Sequence, residues 1–458
     1  MRALSRTIIS AITFLVAGDV LLASTPVISA EQKPPVQVLF TNVNIFDGKS
    51  DTLAMGMSIL VEGNKIKKIA RGNIESAADA TVIDGGGRTL IPGLIDTHQH
   101  IMITEAGPTD YKSKIDPYMN AYQASAAAER MLLRGFTTIR DVGGPSVTLG
   151  QAIDRGVVPG PRIYSSQGAI TATSGHMDFR NYNDFHPNME GAGFTDAWLS
   201  ALGWAFIADG PHEVRRATRE ALRMGATQIK VMAGGGVASL YDPLESVGYS
   251  EEEFRTAVEA ARDYDTYVTI HAYNDESVRR AIRAGVLDCA HCHLINEETV
   301  KMMAEAGMWL GSLSKPPGLL DIPWFTEENL RKARAILEGY DQVMVWAKKH
   351  KLKIAFGTDA AGSSAMMAAQ LLEFEARSEF FTPVEMLRQA TSNAAELLAL
   401  SNSRNPYKAA PLGVVQEGAW ADMLIYDGNP LEDIGVVILH EKNLKVIMKD
   451  GVIYKNTL

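Results

Sequence analysis

At 458 residues the chain is long enough for one large domain and a smaller one, with ample material for a hydrophobic core. Hydrophobic residues make up 46% and charged residues 21%, the balance of an ordinary soluble globular enzyme. The formal net charge is −10, with no basic run and no aromatic–basic interleaving, which argues against a polyanionic partner such as nucleic acid.

The first thirty residues differ from the rest. Arg2 and Arg6 make a basic start, residues 7–23 are almost unbroken apolar, and Val27-Ile28-Ser29-Ala30 offers a small-residue exit. That order predicts a secretory leader over 1–30, cleaved near Ala30, and a secreted or periplasmic protein free of the membrane afterwards. An uncleaved anchor is the rival reading; the apolar stretch is short for a spanning helix, and Asp19 interrupts it.

After the leader, short β-rich runs alternate with Gly, Asn and Asp punctuation: VLFTNVNIFDG, SILVEGNKIKKIA, ATVIDGGGRTLIPG. The last fifty residues return to that texture. ADMLIYDGNP and KVIMKDGVIYK read as hairpins, the second turning at Asp450-Gly451. Residues 31–90 and 408–458 are therefore expected to build one composite β-sandwich domain.

Between them, over 91–407, apolar β-branched strands alternate with helical stretches such as EEEFRTAVEAARDY and NDESVRRAIRAG. Strands are expected at 94–101, 136–142, 162–167, 227–233, 267–272, 286–292, 308–313 and 353–360. Eight such strands with intervening helices are the count of a (β/α)8 TIM barrel, which carries its chemistry at the strand C-termini; a doubly wound open sheet is the rival. Residues 168–210 lack periodicity and read as a long loop over the barrel mouth.

Two cysteines, Cys289 and Cys292, cannot supply a disulfide framework. Their C-x-x-C spacing lacks the helix start of a thioredoxin-like redox pair, so they read as ordinary strand residues.

Polar groups gather at the expected strand ends. His98 and His100 point to one face because strand side chains alternate. Lys230 faces opposite to Ile229 and Val231, hence inward, where a lysine is costly unless paired or modified. His271 ends strand five, His291 strand six and Asp359 strand eight. Any one of these could be an ordinary core residue; six at one rim point to a metal site.

In GLIDTHQH, FTTIRDVGG, QIKVMAGGG, TIHAY, AHCHLI, GTDA and the terminal G-x-x-x-x-G-x-x-A-D of Gly413 to Asp422, the chain resembles the amidohydrolase superfamily. It looks most like the prolidase and carboxypeptidase branch, which includes bacterial ochratoxin-degrading enzymes. The resemblance implies two zinc ions, or another divalent metal. His98, His100 and Asp359 would hold one and His271 and His291 the other, with a carboxylated Lys230 bridging them. Asp359 would take the proton of the attacking water and pass it to the leaving nitrogen. Members of the branch read I-E-H-G at strand six, where this chain has Cys289-Ala290-His291-Cys292-His293, so His293 is an alternative ligand if the register slips by two.

His176 matches the branch's carbonyl-orienting histidine. Tyr241 is a candidate for binding a substrate carboxylate, and Arg140 could add charge there or pair with a carboxylate such as Asp141. His186, His212, His350 and His440 read as solvated, and the two tryptophans of DAWLSALGWAF as lid packing. The expected activity is hydrolysis of an amide in an N-acyl amino acid or dipeptide, ochratoxin A to ochratoxin alpha plus phenylalanine included, by a homo-oligomer. The alternatives are ring opening of a cyclic amide, as in imidazolonepropionase or dihydroorotase, and a non-catalytic scaffold.

Overall fold

The computed structural model describes residues 35–104, 116–180, 182–187, 200–239 and 241–458. The leader expected at 1–30 lies outside them, as does Trp198. No helix among the described residues is long and apolar enough to cross a membrane.

The chain opens with four strands, β1 (Gln37–Ile45), β2 (Ala54–Glu62), β3 (Lys65–Arg71) and β4 (Thr81–Pro92). Strands and helices then alternate: β5 (Leu94–Gln99), α1 (Pro117–Leu133), β6 (Phe136–Asp141), α2 (Val147–Asp154), β7 (Arg162–Ser165), β8 (Ala169–Thr171), β9 (Ala205–Ile207) and α3 (Gly210–Arg223). The pattern continues through β10 (Ile229–Met232), α4 (Glu251–Arg262), β11 (Val268–Asn274), α5 (Asp275–Ala284), β12 (Asp288–Leu294) and α6 (Glu297–Glu305). It ends with β13 (Trp309–Ser312), α7 (Glu327–Lys349) and β14 (Lys353–Ile354). Further helical turns lead to β15 (Met423–Tyr426), β16 (Leu444–Lys449) and β17 (Val452–Asn456).

Local chemistry sets these boundaries. Ser250 and Glu253 form a capping box that starts α4, and Thr326 and Asn329 form another at α7. Asn274 caps α5, which Gly285 ends at φ 88°, a conformation that costs glycine nothing.

A strand stands at each of the eight expected positions, and all pair in parallel. They fall into two sheets, β5-β6-β7 and β14-β13-β12-β11-β10-β8-β9, rather than one continuous ring of paired strands. The interruptions fall beside two short strands, β7 with four residues and β14 with two. Backbone bonds span both gaps: Thr97 N–H to the Phe356 carbonyl at 2.8 Å and Asp359 N–H to the His98 carbonyl at 2.9 Å on one side, and Thr227 N–H to the Ser165 carbonyl at 2.7 Å on the other. The segment read as one long loop, 168–210, contains β8 and β9, three residues each and too short to carry a period. Trp204, in the same stretch, packs in the main core.

Both chain ends do meet in one sheet, ordered β17-β16-β15-β4-β1-β2-β3. Its seven strands are hydrogen-bonded as one mixed sheet. β4 is its spine, parallel to β1 on one side and antiparallel to β15 on the other. The turn at Asp450-Gly451 forms, with φ of 55° and 75°. ADMLIYDGNP is instead one strand followed by helical turns, because β15 pairs with β4 and β16 rather than folding on itself. The sheet has its own core, with Val38, Phe40, Ile59, Leu90, Met423 and Val446 among its members. Arg162 of β7 ties it to the parallel strands: its guanidinium reaches Asp422 at 3.2 Å and Asp450 at 2.8 Å and lies over the Trp420 ring. The terminal motif ending in Asp422 thus has a structural task.

Arg140 is also structural, which corrects its assignment to substrate binding. Its side chain on β6 is fully buried and donates to Asp288 at 2.7 Å, the Tyr267 hydroxyl at 3.0 Å and the Thr97 carbonyl at 2.6 Å. Strand alternation gave its inward direction but not its depth or its partner, which comes from β12 rather than from Asp141. Arg140→Ala would leave Asp288 buried without its counter-charge, and we expect a loss of about 3–5 kcal/mol of stability, read from denaturant midpoints. An Arg140→Ala protein of unchanged stability with weakened substrate binding would restore the recognition role.

Candidate active site

Strand β5 carries the polar residues Asp96 and His98, and His100 follows directly after its end at the same spacing of two. Asp96 is fully buried and works as a brace. Its carboxylate accepts from the His98 and Thr358 backbone at 3.0 and 3.1 Å, and from the Gln99, Thr358 and Gln370 side chains at 2.6, 2.6 and 2.7 Å. That network joins the tip of β5 to the GTDA segment after β14, which puts Asp359 beside the histidines. The Asp359 N–H donates to the His98 carbonyl at 2.9 Å. Its carboxylate lies 3.4 Å from Nε2 of both His98 and His100, and the three side chains form a set with metal-ligand spacing. Sequence reasoning missed Asp96, although the same alternation that pointed to His98 places it on that face.

Lys230 enters from β10 and is 1% exposed, and its ammonium nitrogen makes no hydrogen bond. Neither ring nitrogen of His98 makes one either. His271, from β11, and His291, from β12, complete the cluster, with ring centroids 4.4 Å apart and His291 4.9 Å from His98. His291 Nδ1 is 3.9 Å from Asp359. Burial, before any neighbouring charge, pushes the His98, His271 and His291 rings well below the usual histidine range and so keeps them neutral, the form that offers a lone pair to a metal. Burial likewise lowers Lys230 and raises Asp359.

The ambiguity at strand six resolves in geometry. His293 turns away from the cluster: its Nε2 meets the Ser314 carbonyl at 2.9 Å, and its ring packs near Tyr340. His291 is the residue that faces Asp359. The neighbouring cysteines are not independent strand residues, as expected from sequence, but are joined as a Cys289–Cys292 disulfide. Alternation would place residues 289 and 292 on opposite faces. Positive φ at His291 and Cys292, 76° and 58°, turns the chain so that the sulfurs meet.

His176 lies with its ring stacked on His271, centroids 4.2 Å apart. Its Nδ1 is 2.7 Å from the Ser239 hydroxyl, which donates to Asp242 at 2.6 Å. Since the carboxylate takes the Ser239 proton, Ser239 can only accept from His176, which places a hydrogen on Nδ1 and leaves Nε2 as the nitrogen facing a ligand. The loop holding Ser239 and Asp242 is pinned by Lys332 of α7, which donates to the carbonyls of Gly236, Ser239 and Asp242 at 3.1, 3.2 and 2.8 Å. Asn329 adds a bond to the Val237 carbonyl at 2.6 Å. Gly236 is required beneath the ring: a Cβ there would sit 2.0 Å from His176 Nδ1. No spacing rule links residues 176, 239, 242 and 332, so this support was invisible in the sequence.

Above the cluster opens a cavity of about 570 Å³, lined by Lys230, His100, His176, His271, His291 and Asp359 at its base. Pro316, Leu319, Ile322, Trp324, Phe325 and Met366 make much of its wall. Tyr241 stands at the rim, 44% exposed. Among the described lining residues the cations are Lys230 and Arg180, and Arg180 is already paired with Asp178 at 2.5 Å. Of the histidines expected to be solvated, His212 is exposed. The others are partly buried against neighbours: His350 meets Glu297 at 2.8 Å, His186 lies 4.0 Å from Asp209, and His440 faces the Ile438 carbonyl at 3.4 Å.

Comparison with known proteins agrees with this layout. The profile of the amidohydrolase family matches residues 89–454. Ochratoxinase of Aspergillus niger is 31% identical over 385 residues, covering 80% of this chain and 75% of that enzyme. Its crystal structure superposes with a TM-score of 0.76 at 26% identity, covering 93% and 96% of the two chains. A prolidase complexed with N-methylphosphonate-L-proline gives 0.83 at 32% identity, covering 92% and 100%. Imidazolonepropionase of Idiomarina loihiensis is 25% identical over 391 residues, 83% of this chain and 88% of that one. The family profile over residues 89–454 and the relative at 31% identity show the family: the chain belongs to the amidohydrolase family.

Proposed function

We propose that this protein is a metal-dependent amidohydrolase that cleaves the amide bond of N-acyl amino acids or dipeptides, ochratoxin A to ochratoxin alpha plus phenylalanine included. The observation that carries the reading is the buried Lys230 amine. It has no hydrogen bond, and it sits among neutral histidines and a carboxylate at the floor of an apolar cavity. The ochratoxinase and prolidase neighbours support the amide bond as target. We take the two parallel sheets as the halves of one (β/α)8 barrel, which accounts for all the candidate ligands lying at strand C-termini.

The donor set fits two divalent cations. His98, His100 and Asp359 would hold one and His271 and His291 the other, with Lys230 as a carbamate between them. An uncarboxylated ammonium could not sit between two dications, whereas a carbamate offers each an oxygen. Bound there, the cations would acidify a water molecule and polarise the scissile carbonyl. The protein's own groups do the rest. Asp359 borders both the histidines and the cavity, where its carboxylate can hold the water's proton and deliver it to the leaving nitrogen. His176 presents Nε2 to the carbonyl from a ring fixed by Ser239 and by stacking on His271. Tyr241, at the rim, would meet a substrate carboxylate. The apolar wall excludes water and selects a bulky, hydrophobic acyl group or side chain.

The similarity to imidazolonepropionases favours a second reading, ring opening of a cyclic amide with the same groups. The wall of Trp324, Phe325, Leu319 and Ile322 suits a larger, less polar ligand than such a ring. The basic, then apolar, first thirty residues support export, and a homo-oligomer is part of the proposal.

Lys230→Ala should reduce turnover by at least about a thousandfold and lower the zinc content measured by elemental analysis. Wild-type activity with full metal content would remove Lys230 from the centre. The mature wild-type chain should carry about two metals and release amino acid from N-acyl amino acids. Aromatic acyl groups should exceed acetyl by roughly tenfold or more in kcat/KM. Two metals without release from any open-chain amide would transfer the assignment to cyclic amides.

A further inference from the structure

Strand β12 delivers His291 through an unusual stretch of backbone. His291 and Cys292 both sit in the left-handed region, with φ of 76° and 58°, and neither is glycine. There the Cβ of an L-residue crowds its own carbonyl, so consecutive non-glycine residues need something outside the backbone to hold them. Pairing along β12 breaks register at the same place: His291 aligns with Ala272 of β11, and the next paired residues are Leu294 and Asn274. Cys289 and Cys292 are both fully buried and are bonded to one another across this turn.

A crosslink between residues three apart closes so small a loop that it removes little entropy from the unfolded chain, and general stabilisation is a poor account of it. Its effect is local. Tethering Cys292 back to Cys289 fixes the turn that contains His291, and from that turn the His291 ring reaches within 4.4 Å of the His271 ring and 3.9 Å of Asp359. A chain following plain strand alternation would not join the two sulfurs.

We propose that the Cys289–Cys292 disulfide is a positioning device that holds His291 in its left-handed conformation and so aims the imidazole at the metal centre. This rests on the reading of His291 as a ligand. The crosslink does the work that a glycine at position 292 would do through its freedom at positive φ.

The test uses the mature chain prepared under oxidising conditions. Thiols are counted in denaturant before and after dithiothreitol, and zinc affinity is measured by competition with a chromogenic chelator. The wild type should show no free thiols before reduction and two after it. Cys289→Ala, which leaves Cys292 untethered, should bind zinc about ten- to a hundredfold more weakly. The double variant Cys289→Ala/Cys292→Gly should recover affinity to within about threefold of wild type, because glycine adopts the turn without a tether. Thermal unfolding of each variant confirms that the compared proteins are folded. Free thiols in the oxidised wild type, unchanged zinc affinity in Cys289→Ala, or no rescue by glycine would each overturn the positioning role. A wild-type chain that binds no zinc would sink the metal-centre reading itself and this inference with it; zinc bound equally by wild type and Cys289→Ala sinks only the latter.

Discussion

A buried primary amine without a hydrogen-bond partner is the constraint around which this structure is arranged. Lys230 lies at the centre of the parallel strands, where an unpaired ammonium carries a heavy desolvation penalty. Among the described residues none hydrogen-bonds to it; Asp359 and Asp288 lend some opposite charge, while the neighbouring histidines are held neutral by burial. A fold that only needed stability would place an aliphatic residue there. The proposed carboxylation would remove that penalty, because a carbamate shared with cations replaces the unpaired ammonium.

Holding that arrangement takes support from well outside the cluster. Asp96 gathers hydrogen bonds from β5, from the GTDA segment and from Gln370, so the tips of the first and last strands move as one. Arg140 and Asp288 lock β6 to β12 from within. Arg162 ties β7 to the terminal sheet through Asp422 and Asp450. Arg140–Asp288 and Arg162–Asp422 are charges buried with their partners, which contribute little net stability but penalise any alternative packing that separates the pair. The candidate centre is therefore kept in register by polar contacts, while the aliphatic core supplies most of the driving force.

Much of this was legible in the sequence wherever a period or spacing encodes geometry. Alternation placed His98, His100 and Lys230 on inward faces, and all eight strand positions are occupied. Reading failed where long-range pairing overrides local pattern. β8 and β9 are too short to show a period, and the order of the terminal sheet rests on β4 pairing with both β1 and the distant β15. Arg140 points inward as alternation requires, yet its partner on β12 is 148 residues away. Most instructive is strand six. Alternation treats His291 and His293 as equivalent, and only the positive φ at His291 and Cys292 separates them.

The same distinction explains how selectivity can sit apart from reactivity in this site. The base of the cavity is polar and drawn from strand tips that are rigidly braced. The wall is built from loop residues such as Pro316, Trp324 and Met366, and from the Gly-rich turn that supports His176. Strand-borne groups are fixed to fractions of an ångström by the sheets, which suits the donors proposed to share a cation. Loop-borne apolar groups can change identity without disturbing those donors. His176 bridges the two layers: it stacks on a strand histidine, yet takes its orientation from Ser239 and Asp242 in a loop clamped by Lys332. Any shift of that loop would therefore turn the His176 ring as well, coupling the shape of the cavity wall to the orientation of the group proposed to meet the substrate carbonyl.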